Sequence, residues 1–217
     1  RCGSLFEHGI DSGEKTIDQY VAWLPNIKTI FKYNESGDTD LFNGTLGEMI
    51  LSEPSKMQTH INSALHQSFT HVRFKTVLEV RAADRPPKDS ELAPAAFLTG
   101  LLTAPKTRAA GIDAISRWSH DDRKQLVETA HNLSFNQLGP EKKLIGDWLE
   151  FWAELALKGL NERKKIFGIK NEGPLVQSFL EDVLARGPKT IQTQNMFQKT
   201  DASLHDFLRE CCLDSAS

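Results

Sequence analysis

The sequence predicts an α+β fold, with an antiparallel sheet in residues 1–89 and a mostly helical part in residues 90–217. Three observations carry this. NIKTIFKY (26–33) and VRFKTVLEVRAAD (72–84) alternate residue character with the period of two that strands require. Beyond residue 90 the apolar residues recur with helical spacing, punctuated by cap and stop signals. Between the two regimes lies DRPPKD (84–89), which suits neither a helix nor a central strand.

In the first part, TIDQYVAWL (16–24) sets Ile17, Tyr20, Val21 and Leu24 on one helical face, and Pro25 ends the helix. Ile27, Thr29, Phe31 and Tyr33 then share one face of a half-buried strand. NESGD (34–38) is a turn, GTLGEMIL (44–51) a short helix and KMQTHINSALHQSF (56–69) a longer one. In the second part, Ser90 reads as the N-cap of SELAPAAFLTGLL, and Ser119 with Asp122 forms a capping box. The longest helix is expected over 140–167, starting at Pro140, with Leu144, Trp148, Phe151, Trp152, Leu155 and Leu160 as its apolar stripe. Gly187 and Pro188 stop the helix before them, and Asp201 is the expected N-cap of the last helix, 201–213.

Composition excludes several classes. A net charge of −3 on 217 residues offers no basic excess for nucleic acid or anionic membranes. No apolar run approaches the ~20 residues of a membrane helix. Cys2, Cys211 and Cys212 form neither a disulfide framework nor a zinc-binding spacing, which fits a reducing, cytoplasmic setting. There is no Walker A loop, GxGxxG or GxSxG motif, and the histidines, His60 among them, are scattered and read as mostly surface residues. The aromatic stripe of the long helix reads as core.

Residues 72–84 raise the functional question. Read as one strand, Val72, Phe74, Thr76, Leu78 and Val80 form a core-facing side, and Arg73, Lys75, Val77, Glu79 and Arg81 the other. The plain reading of that second side is a wet sheet face. The functional reading starts from Glu79 and Arg81, two apart and pointing the same way. A carboxylate can ligate Mg²⁺, and a guanidinium can grip phosphoryl oxygens, the chemistry of γ-phosphoryl transfer.

LEVRAAD followed by LAPAAFLTGLL resembles the glutamate–cysteine ligases of the plant and proteobacterial type, in their VRLK-x-x-x-E-x-RGAD and LPAFWVGLL segments. RCGSL (1–5), DQYVAW (18–23) and GTLGEMI (44–50) resemble further segments in the same order, out to about residue 186. The resemblance implies a sheet rolled into a partial funnel with helices behind it. It also implies ATP- and Mg²⁺-dependent joining of glutamate to the amine of cysteine, by way of an acyl phosphate. Carried over by position, Glu79 is a metal ligand and Arg81 the catalytic stabiliser of phosphoryl charge. Arg1, Arg73 and Lys75 bind substrate or phosphate. The sequence departs from the pattern at Ala82 (glycine in the family), at Arg85–Lys88 (Gly-Gly-Pro-Trp), at Leu98 (Trp) and at Asn34 (Arg).

The resemblance further implies a C-terminal portion of a longer enzyme, completed by an upstream segment or a second chain that pairs with an exposed sheet edge. Two other functions stay open: a ligase of the same scaffold with another amine acceptor, and a non-catalytic binding or assembly module.

Overall fold

The computed structural model describes residues 5–10 and 13–214. The α+β expectation holds. Two compact units divide the chain, residues 1–84 and 85–217.

The first unit holds helix α1 (Thr16–Trp23), strands β1 (Lys28–Tyr33) and β2 (Thr39–Thr45), helices α2 (Leu46–Ser52) and α3 (Met57–Gln67), and strands β3 (Val72–Phe74) and β4 (Leu78–Val80). The strands form two separate antiparallel pairs, β1–β2 and β3–β4. Asn34 builds the turn into β2: its Oδ1 accepts from the amides of Ser36 and Asp38, and Gly37 supplies the positive φ of 85°. Thr45 ends β2 and starts α2, because its hydroxyl accepts from Glu48 N while the Glu48 carboxylate accepts from Thr45 N. A bulge interrupts β1 between Thr29 and Phe31. There the Gln67 side chain does a strand's work. Its Oε1 accepts from Ile30 N at 2.6 Å and Phe31 N at 3.2 Å, and its Nε2 donates to Phe31 O at 3.0 Å.

Two expectations are corrected here. Tyr20 alone is buried in α1, where it meets the Phe74 ring edge-on at 4.9 Å, while Ile17 and Val21 are exposed. Residues 72–84 are not one strand but a hairpin: Lys75 N donates to Val77 O, the chain reverses, and Arg73 stands opposite Glu79.

The second unit holds α4 (Ala93–Thr103), α5 (Pro105–Ser116), α6 (His120–Thr129), α7 (Ile145–Phe167), α8 (Gln177–Arg186), α9 (Lys189–Gln198) and α10 (Leu204–Asp214). Helices α4 and α7 cross at a pair of glycines: a Cβ at Gly159 would stand 1.9 Å from the carbonyl oxygen of Gly100. Ala93, Ala96, Leu160 and Val176 form the core around this contact. Trp148, Phe151 and Trp152 of α7 make edge and stacked contacts with each other and with Trp118, and Trp148 Nε1 donates to Pro140 O at 2.9 Å. Within that stripe, however, Leu144 and Phe151 are exposed. Glu162 of α7 caps α5, accepting from the amides of Lys106 and Thr107 and from the Thr107 hydroxyl. The Ser119–Asp122 capping box forms as expected.

Three helix starts differ from the sequence reading. Helix α7 begins at Ile145, not Pro140, because Glu141 and Lys142 take positive φ values of 56° and 60°. Ser90 closes a turn, accepting from Ala93 N, and α4 begins at Ala93. In α10 it is Ser203, not Asp201, whose hydroxyl accepts from Asp206 N.

Candidate functional site

The β3–β4 hairpin places its charges by register. In a continuous strand Arg73 and Glu79 would lie about 20 Å apart; across the hairpin they are direct partners. Arg73 Nε donates to Glu79 Oε2 at 2.5 Å, and Lys75 Nζ approaches the same oxygen at 3.6 Å. Arg73 is 7% exposed, the most enclosed residue of the hairpin, whereas Val77 and Leu78 of the expected apolar pattern are open to solvent. The burial of the two faces is therefore not what alternation alone suggests. Arg73 is buried because the chain leaving α3 offers it carbonyl acceptors. Its Nη1 donates to His66 O at 2.6 Å and Ser68 O at 3.4 Å, where the helix end carries partial negative charge.

Arg81 reaches the same place. Its Nη1 donates to Ser68 O at 3.3 Å and its guanidinium lies 5.5 Å from the centre of the Phe69 ring. Its amide donates to His71 O at 2.7 Å, which fixes the strand end. The hairpin thus brings together Arg73, Lys75, Glu79 and Arg81. The Arg73 hydrogen bond, aided by the charges of Arg73, Lys75 and Arg81, holds the Glu79 carboxyl below its ordinary value. Glu79 is ionised over the whole neutral range and sits in a positive environment, one suited to anions rather than to a bare cation. Among the described residues no group of three or more His, Cys, Asp or Glu side chains is placed to hold a metal ion. Arg1 lies outside the described residues.

Sequence reasoning missed Gln67, whose edge-closing role leaves no motif, and it misjudged His60. The His60 ring is fully buried, with neither nitrogen hydrogen-bonded. The buried hydroxyls of Tyr20 and Ser68 are also unpartnered. Among the described residues no helix is long and apolar enough to cross a membrane.

No curated protein matches the chain. The family model for glutamate-cysteine ligase family 2 (GCS2) matches residues 9–137, a stretch that contains the whole charged hairpin and ends short of the resemblance drawn from the sequence. That match spans more than half of the 217 residues, and the chain belongs to glutamate-cysteine ligase family 2.

Proposed function

We propose that the chain acts in an ATP- and Mg²⁺-dependent carboxylate–amine ligase of the plant and proteobacterial glutamate–cysteine ligase type, as its C-terminal portion and in the cytoplasm. The reaction joins the γ-carboxylate of glutamate to the amine of cysteine or a similar acceptor, as in glutathione biosynthesis. The observation that supports this is the convergence of Arg73, Lys75 and Arg81 around Glu79 inside the family-matched stretch.

In this reading a glutamate carboxylate oxygen attacks the γ-phosphorus of ATP and ADP leaves. The amine then attacks the acyl phosphate carbon, phosphate leaves, and the amine gives up a proton. Arg81 suits the phosphoryl charge: it has one long hydrogen bond to a carbonyl and no carboxylate partner, so its guanidinium retains donors for an anion. Arg73 is committed to Glu79 and two carbonyls, which makes it the support of the hairpin and leaves Lys75 as the second mobile cation.

Mg²⁺ takes about six oxygen ligands in octahedral geometry. The described residues offer Glu79 alone there, with Arg73 and Lys75 on one of its oxygens, and so do not by themselves fit a Mg²⁺ site. Further carboxylates, and a strand for an open edge, come in this reading from a neighbouring segment or a second chain.

The test is ADP release by the intact protein with glutamate and a panel of amines including cysteine. Arg81→Ala is expected to lower turnover by about 10³-fold, with Arg81→Lys recovering part of it and the thermal midpoint unchanged. A loss below about tenfold removes Arg81 from the reaction. Turnover with an amine other than cysteine would assign a different acceptor, in line with Ala82 and Leu98. A second reading, a non-catalytic binding or assembly module, is favoured by the mutual satisfaction of Arg73 and Glu79, as in a structural pair. It predicts no ADP release with any amine.

A further inference from the structure

Beside the charged hairpin, within the first unit, lies an open cleft of about 280 Å³. Trp23 and His8 stack on one another in its wall with ring centroids 4.8 Å apart, and Phe69 adds a third, half-exposed ring. Its polar lining includes Lys28, Asn26 and Ser68, and no Asp or Glu lines it. Lys28 is exposed and makes no ion pair. Ser68 is 2% exposed and its hydroxyl has no hydrogen-bond partner.

We propose that this cleft binds a small aromatic carboxylate, its ring against Trp23 and Phe69 and its carboxylate between Lys28 and the Ser68 hydroxyl. Size points to a fragment rather than a large ligand. A cavity of about 150 Å³ accepts benzene, and clefts for drug-sized molecules begin at about 300 Å³. The aromatic lining selects a flat apolar group. A lone lysine in a wall without acidic residues selects an anion, and one cation with one neutral hydroxyl matches a monoanion better than a phosphate, which draws arginine forks. The Ser68 hydroxyl is a donor without a partner, and a carboxylate oxygen is the acceptor it needs. Ser68 also ties the cleft to the hairpin, since its carbonyl oxygen accepts from both Arg73 and Arg81. The proposal concerns binding alone and does not depend on the ligase reading.

The experiment is a titration of the intact, ¹⁵N-labelled protein with 3-phenylpropionate, 3-phenylpropanamide and phenyl phosphate, read at the indole signal of Trp23, which Trp23→Phe identifies. A saturable shift is expected with 3-phenylpropionate, and weaker binding of the amide. Lys28→Ala should weaken the carboxylate roughly two- to fivefold, as for an exposed ion pair, and leave the amide unchanged. Ser68→Ala should weaken the carboxylate while the thermal midpoint holds or rises, because it removes an unpartnered hydroxyl; a purely structural serine would behave the opposite way. Equal affinity for carboxylate and amide, tighter binding of phenyl phosphate, or no saturable shift at Trp23 would each overturn the proposal.

Discussion

Arg73 and Glu79 face one another across the β3–β4 hairpin, bonded at 2.5 Å, with the arginine enclosed and the carboxylate half open to solvent. The pair is asymmetric. Arg73 also holds the carbonyls of His66 and Ser68, so it joins the hairpin to the end of α3. Arg73→Ala should therefore lower stability by about 2–3 kcal/mol, through orphaned carbonyls and a lost buried stem. Glu79→Gln keeps the carbonyl bonds and should cost clearly less. Urea unfolding of the two variants checks the order; equal losses would mean that the ion pair, not the carbonyl clamp, holds the hairpin.

The α4–α7 crossing allows a sharper test. A Cβ at Gly159 would lie 1.9 Å from Gly100 O, and backbone cannot move aside as a flexible side chain can. Gly159→Ala should destabilise the second unit by about 3 kcal/mol or more. At Gly111 the nearest obstacle is the edge of the Trp152 ring at 3.3 Å, and alanine gains about 1 kcal/mol of helix propensity there. Gly111→Ala should stay within about 1 kcal/mol of the parent protein. Thermal midpoints of the two variants decide whether the crossing is as tight as its geometry.

The contrast between these two sites reflects what a sequence can carry. Helical spacing and the Ser119–Asp122 box are local signals, and they located most of the helices. Glycine at 159 looks from the sequence like a weak point in a helix; only the partner helix explains it. Residues 75–77 reverse the chain without glycine or proline, so alternation ran through them as if they were strand. Strand β2 (Thr39–Thr45) was hidden because Asn43 and Gly44 resemble a turn. The grouping of Arg73, Lys75, Glu79 and Arg81 was legible because parity survives a hairpin; the burial of Arg73 was not, because it depends on carbonyls at the end of α3.

Acid should loosen the first unit through Glu53. Hydrogen bonds from Lys32 and then Lys56 lower its pKa from 4.5 to about 2. A lowered carboxyl pKa contributes stability that is complete above the unfolded value and is lost as pH falls through the folded value. The window is pH 4.5 down to about 2. In Glu53→Gln the denaturation midpoint should lose part of its pH dependence in that window. An unchanged slope would show that both lysine contacts are loose in solution.

Gln67 offers the last prediction. Its amide meets three backbone groups of β1, at Ile30 and Phe31, where the bulge has turned them away from β2. The side chain is buried, and Ser63 accepts its remaining Nε2 hydrogen at 3.0 Å. Gln67→Met preserves the volume but leaves two amides and a carbonyl to find water. Each unsatisfied buried group costs about 1–3 kcal/mol, less where solvent reaches it, so a total near 2–4 kcal/mol is expected. Hydrogen exchange gives the site-specific reading. The amides of Ile30 and Phe31 should lose protection in Gln67→Met, while those bonded to β2 within the same strand keep theirs. Uniform loss across β1 would mean that Gln67 supports the whole unit rather than closing one edge. Retained protection at both amides would mean that the bulge finds another partner. The first outcome would identify one glutamine at the end of α3 as the substitute for a missing strand, which is how a two-stranded sheet with a buried edge can stand without a third.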